Sequence, residues 1–137
     1  MKNRTILMGC MAALIWSPTA ATADDSPLAK QMETLDDAYK AFRRETDPAK
    51  GAESAREAQL AVLKFLQETP SSVSGISDPA AKAKAAAKYR KMVGQLYITL
   101  CDVESAFLEN DLPKVEELVK AVRESKKEGH GAFIEDE

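Results

Sequence analysis

From Leu28 onward the apolar residues of this chain recur in alternating steps of four and three. Leu28, Met32, Leu35, Tyr39 and Phe42 form the first such stripe, which predicts an amphipathic helix with one buried face. Ser26-Pro27 supplies its start as cap and first helical residue, and Thr46-Asp47-Pro48 reads as its end. A second helix is predicted from about Gly51 to Glu68, burying Ala55, Ala58, Val62, Phe65 and Leu66. Thr69 to Ser77, rich in Ser, Gly and Pro, reads as a loop. Asp78-Pro79 then repeats the cap-plus-proline start, ahead of a stripe of Tyr89, Val93, Leu96, Leu100, Val103 and Phe107. That segment spans roughly 30 residues, ~45 Å if unbroken, and its first turns are alanine-rich. Asn110 and Asp111 break it and cap a fourth helix with Val115, Leu118, Val119 and Val122 inward and Phe133 further on. The prolines of this region, Pro27, Pro48, Pro70, Pro79 and Pro113, all fall at segment edges. No segment alternates as a half-buried strand would. The fold expected is all-α, an antiparallel up-down-up-down four-helix bundle.

The N-terminal stretch has a different character. Lys2 and Arg4 precede a largely apolar run from Ile6 to Trp16, Pro18 breaks it, and Ala21-Thr22-Ala23 offers small residues for a signal peptidase. The run is shorter than the ~20 apolar residues of a membrane span. Residues 1–23 therefore read as a cleaved signal peptide, with export to the periplasm of a Gram-negative bacterium and no membrane anchor. Leu7-Met8-Gly9-Cys10 has the outline of a lipoprotein box, but too few apolar residues precede Cys10. The mature domain is then 24–137. Taking Lys2 and Arg4 from the 19 basic residues leaves 17 against 22 acidic ones, a net charge of −5. That balance argues against nucleic acid or anionic membrane as partners and permits docking to a basic protein patch; a monomer is expected. Cys101 is the one cysteine left, so no intrachain disulfide can form, and its neighbours Leu100, Val103 and Ala106 mark it as a small apolar residue of a helix.

Candidate chemistry is sparse. The single histidine, His130, has no serine or cysteine placed as a nucleophile, and Asp36-Asp37 and Glu116-Glu117 read as solvated helix faces. No Gly-rich phosphate loop and no His/Cys metal cluster occurs, so the chain does not read as an enzyme. Beyond the signal segment the only thioethers are Met32 and Met92 and the only imidazole is His130. One methionine with one histidine is a common axial pair for haem iron in electron carriers. In an up-down-up-down bundle the start of the first helix and the end of the fourth lie at the same end. Met32, ~8 Å into its helix, can meet His130 there, whereas Met92, ~20 Å into the third helix, is the poorer candidate. On the residues alone two readings stay open. A methionine on an apolar stripe serves equally as core filler, and a histidine near a helix C-terminus can simply face the dipole.

Gln31-Met32-Glu33-Thr34-Leu35 resembles the opening of the cytochrome b562 family, and Lys126-Lys127-Glu128-Gly129-His130 resembles its histidine-bearing end. Tyr89-Arg90 and Val93-Gly94-Gln95 are similar to the start and middle of the family's third helix. The resemblance implies a non-covalent haem b with Met32 and His130 as axial ligands, and single-electron transfer to redox partner proteins that the sequence does not name. Leu35, Leu66, Tyr89 and Val93 are then expected to line an apolar pocket at the open end of the bundle. The absence of Cys-x-x-Cys-His excludes covalent c-type attachment by that signature. The alternative is a haem-free helical binding module, suggested by Gly129 and Gly131 beside His130, which weaken the helix there, and by the scarcity of pocket aromatics.

Overall fold

The computed structural model describes residues 26–134. The expected signal peptide, its cleavage point before Asp24 and Cys10 lie outside the described residues. Four long helices and one short one follow in order: α1 (Pro27–Phe42), α2 (Pro48–Phe65), α3 (Ser71–Ser74), α4 (Pro79–Leu108) and α5 (Leu112–Phe133). Among the described residues there is no strand.

The four long helices start in the same way. Ser26, Asp47, Asp78 and Asp111 each accept a hydrogen bond from a backbone N–H of the first turn, and a proline occupies the first or second helical position. The side chain satisfies a donor that has no partner inside the helix, and proline contributes a preset φ without needing its missing N–H. Asp47-Pro48 is thereby corrected from the end of the first helix to the start of the second, because Asp47 accepts from both Ala49 and Lys50 at 3.0 Å. The stretch expected as a loop also holds α3, a single turn.

Between α4 and α5 the chain reverses in a few residues. Asn110 adopts φ 56°, the left-handed region. Its N–H donates to Phe107 O and that of Asp111 to Ala106 O, both at 2.9 Å, which closes α4 with a Schellman motif. Asp111 then caps α5 through Lys114 N–H at 3.0 Å.

Successive long helices pack against each other, α1 on α2, α2 on α4 and α4 on α5, while α3 touches α4 and α5. Short connections make those neighbours antiparallel, giving the four-helix bundle expected. The inner face of α2 is built from Gly51, Ala52, Ala55, Ala58 and Ala61, all buried. Small side chains let α1 and α4 approach closely. Phe42, Leu100, Phe107 and Val122 fill the centre and are fully buried. The buried amide of Gln59 donates to Leu100 O at 3.2 Å and to Glu104 Oε2 at 2.7 Å. Arg56 also donates to Glu104, and these hydrogen bonds hold the Glu104 carboxyl below its ordinary pKa.

Of the four side-by-side pairs that would close a bundle of long helices, one is missing. No Cα of α1 comes within 8 Å of any Cα of α5.

The tightest contact yields a stability test. A Cβ on Gly51 would clash with the ring of Phe107, which is fully buried. Helix propensity alone would make Gly51→Ala stabilising by up to ~1 kcal/mol. Overpacking reverses the sign, so a loss of about 1–3 kcal/mol is expected. Gly94→Ala meets nothing within 4 Å and should show the propensity gain. Urea midpoints of the two variants should move in opposite directions; a shift of both to higher urea would show that Phe107 yields.

Candidate functional site

The gap between α1 and α5 opens into a cleft at the end of the bundle where α1 begins and α5 finishes. A cavity of about 90 Å³ lies within a cleft whose whole open space, mouth included, is about 690 Å³. α1 contributes Leu28, Met32, Leu35 and Asp36. These stand one above another because residues three and four apart share a helix face. α5 faces them with Lys126, Gly129, His130 and Phe133, again in steps of three and four. α4 supplies the back wall with Tyr89, Met92, Val93 and Leu96, and α2 ends against it at Phe65. The lining is therefore mostly aliphatic and aromatic. Met32 is half-buried, and His130 is exposed at the mouth.

Five of the six residues expected from the sequence meet here: Met32, Leu35, Tyr89, Val93 and His130. Leu66 does not line the cleft. It is the C-cap of α2 and is 40 % exposed. A step of one residue turns a helix by about 100°, and Phe65 already holds the inward position in series with Ala58 and Val62. The placement of Met92 also differs from the expectation of a remote methionine. The first turns of α4 run past the end of α2, so ~20 Å along α4 brings Met92 into the cleft rather than away from it. Leu28, Phe65, Leu96 and Phe133 also line it; the stripe spacing carried that signal for Leu28, Phe65 and Leu96, while Phe133 depended on how far α5 runs.

Gly129 and Gly131 do not end α5, which continues to Phe133. Its last turn is pinned instead from outside. Phe133 is buried edge-on against Tyr89 with ring centroids 5.3 Å apart, and Ser72 of α3 donates to Phe133 O at 2.6 Å. Ser72 thus satisfies a carbonyl at the helix end that has no partner of its own. The same logic holds the floor, where Tyr89 Oη donates to Phe65 O at 3.0 Å. Burial, with a smaller contribution from Glu68, pushes the Tyr89 phenol up to about 12.

One turn deeper than Met32 and His130, Asp36 and Lys126 form an ion pair that spans the gap between α1 and α5. The Lys126 ammonium also sits over the Tyr39 ring, 5.1 Å from its centre. Burial lowers the Lys126 pKa, and the carboxylate and ring face opposite it supply the compensating negative potential. Among the described residues no group of three or more His, Cys, Asp or Glu is placed to hold a metal ion directly.

The structure is thus a four-helix bundle with one unclosed seam and an apolar cleft, with a thioether and an imidazole on the two helices flanking it. The family model described as Cytochrome b562 matches residues 27–133, and the chain belongs to that family. The family is itself a standard example of the up-down-up-down bundle, and its members are haem-binding electron carriers rather than enzymes. No curated protein matches the chain significantly. The residues present fit a b-type haem, since an apolar lining, the thioethers of Met32 and Met92 and the imidazole of His130 meet in one cleft.

The Tyr89 anchor has a pH signature. Its raised pKa means that the contribution is complete below pH ~10, where a free tyrosine titrates, and is lost as pH rises toward about 12. Tyr89→Phe should cost about 1 kcal/mol near neutrality through the lost hydrogen bond to Phe65. The variant should then lose less stability than the parent on going to strongly alkaline conditions. Urea unfolding at neutral and alkaline pH checks this, and parallel pH profiles for the two proteins would count against the anchor.

Proposed function

We propose that this protein is a periplasmic b-type cytochrome that carries single electrons, with haem b held non-covalently between α1 and α5 by Met32 and His130. The observation that carries the reading is the seam itself: a methionine and the only histidine stand on two helices that face each other without backbone contact. Met32 and His130 would hold the haem iron from the two helices that border the gap. α4 packs directly on α5, which leaves no comparable gap between Met92 and His130, so Met32 is the better placed of the two thioethers. The signal-like N-terminus supports export.

When bound, the haem supplies the one-electron couple, and the protein supplies position and surroundings. Leu35, Phe65, Tyr89 and Val93 keep water from the back of the cleft. An apolar lining disfavours the additional charge of the ferric state, and a methionine ligand acts in the same direction. Phe133 and Ser72 fix the end of α5 that bears His130.

Titration with haemin, followed by reduction, tests the assignment. The parent protein should show a Soret band that sharpens and shifts on reduction. It should also melt higher with haem than without, because haem binds the folded state selectively. Met32→Ala and His130→Ala should remain helical and lose the low-spin spectrum, while Met92→Ala keeps it. Loss with Met92→Ala and retention with Met32→Ala would transfer the sulfur ligand to α4. A parent protein that takes up no haem would point to a haem-free binding module using the same cleft.

A further inference from the structure

The charge of this chain is unevenly placed. From Pro79 to Cys101 there are five cations, Lys82, Lys84, Lys88, Arg90 and Lys91, and no carboxylate. The remainder of the chain after residue 23 holds 12 cations against 22 carboxylates. All five cations are exposed, and none takes part in an ion pair among the described residues. Lys84, Lys88 and Lys91 are spaced four and three apart and so share one face of α4. It is the face opposite Tyr89, Val93 and Leu96. The same stripe runs on through Gln95 to Ile98, a large apolar side chain that is 61 % exposed.

We propose that this outward face of the first half of α4 is the docking surface for a protein partner whose matching surface is rich in carboxylates. Charge complementarity selects the partner's sign. A cationic rim beside one exposed aliphatic side chain suits a small, electrostatically steered protein contact, the usual size for transient redox encounters. An anionic bilayer is disfavoured on two counts. The chain as a whole is acidic, and the side chains interleaved with the cations are chiefly alanines, which offer nothing large to insert. With +5 on one segment and an acidic remainder, the molecule carries a dipole that turns this face toward an acidic surface on approach. Helix thickness is ~10 Å, so a partner seated here lies about one helix width from Tyr89 and Met92 in the cleft. That the partner exchanges electrons rests on the cytochrome reading; the docking itself rests only on the surface.

The test uses the full mature protein and polyglutamate as the probe, with binding followed by amide chemical shifts at low and raised salt. The parent should bind, with shifts concentrated on α4 and affinity falling as salt rises. The triple variant Lys84→Glu, Lys88→Glu, Lys91→Glu should bind at least about tenfold more weakly, consistent with three rim charges reversed. A control triple, Lys30→Glu, Lys50→Glu, Lys120→Glu, changes the net charge equally on exposed positions elsewhere and should bind like the parent. Far-UV circular dichroism verifies that both variants stay helical. Equal loss in both triples, or no loss in the α4 triple, overturns the proposal. Parent protein that ignores polyglutamate but binds vesicles of phosphatidylcholine and phosphatidylglycerol overturns it in favour of a lipid surface. Haem titration of the same samples separates the two readings: a protein that binds polyglutamate but takes up no haem on titration sinks the cytochrome and leaves this surface standing.

Discussion

α1 and α5 face each other without backbone contact, and the chemistry available to this molecule follows from that unclosed seam. In a closed four-helix bundle each helix buries its stripe against two neighbours. Here α1 has one, α2, and the outer part of its stripe at Leu28 and Met32 is only half-buried. Apolar surface left in contact with water is unfavourable by roughly 25 cal/mol for each Å² that could have been buried. The seam is therefore a place where burial of apolar surface is left incomplete. The closed side shows the contrast. Glycine and alanines on α2 draw the neighbouring helices close, to the point that Gly51 accepts the face of Phe107.

An open seam would let its two flanking helices drift unless something else held them. α1 is positioned by α2 through Leu35, Ala38 and Phe42, all buried. α5 is held at its far end by the short turn to α4 and at its near end by α3, through Ser72, and by the Tyr89–Phe133 pair. Tyr89 in turn is tied to the last turn of α2. Thus four elements of the chain meet around one aromatic residue directly behind the cleft. The glycines beside His130 can be tolerated because the order of that turn comes from these contacts rather than from helix propensity.

Across the seam the direct link is electrostatic. Asp36 and Lys126 are partly buried, and removing one partner of such a pair leaves an uncompensated charge, which is worse than never having had the pair. The interaction fixes the register of α5 against α1 at one level while leaving the level of Met32 and His130 free of protein. Charge elsewhere is organised on a larger scale, with cations gathered on the first half of α4 and carboxylates over the remainder.

Local information accounts for most of the fold. Capping side chains followed by proline mark where helices begin, and steps of four and three mark which face is buried; both act within a few residues, so they are present in the sequence. The stripe through Leu28, Met32 and Leu35 and that through Tyr89, Val93 and Leu96 placed four of the six expected residues at one end of an antiparallel bundle, and the order of the helices brought His130 to them as a fifth. Two expectations failed. Leu66 stands about 100° around α2 from Phe65, off the face that Ala58, Val62 and Phe65 share. Met92 depended on how far α4 runs past α2, which is set by the register between helices distant in sequence. The same holds for the Asp36–Lys126 pair and for Ser72 on Phe133. Helix starts, buried faces and helix order are set within a few residues and can be read along the chain. Which seam stays open and what stands in it emerge only on folding, because helix register and helix ends are settled by packing between segments that periodicity cannot relate to one another.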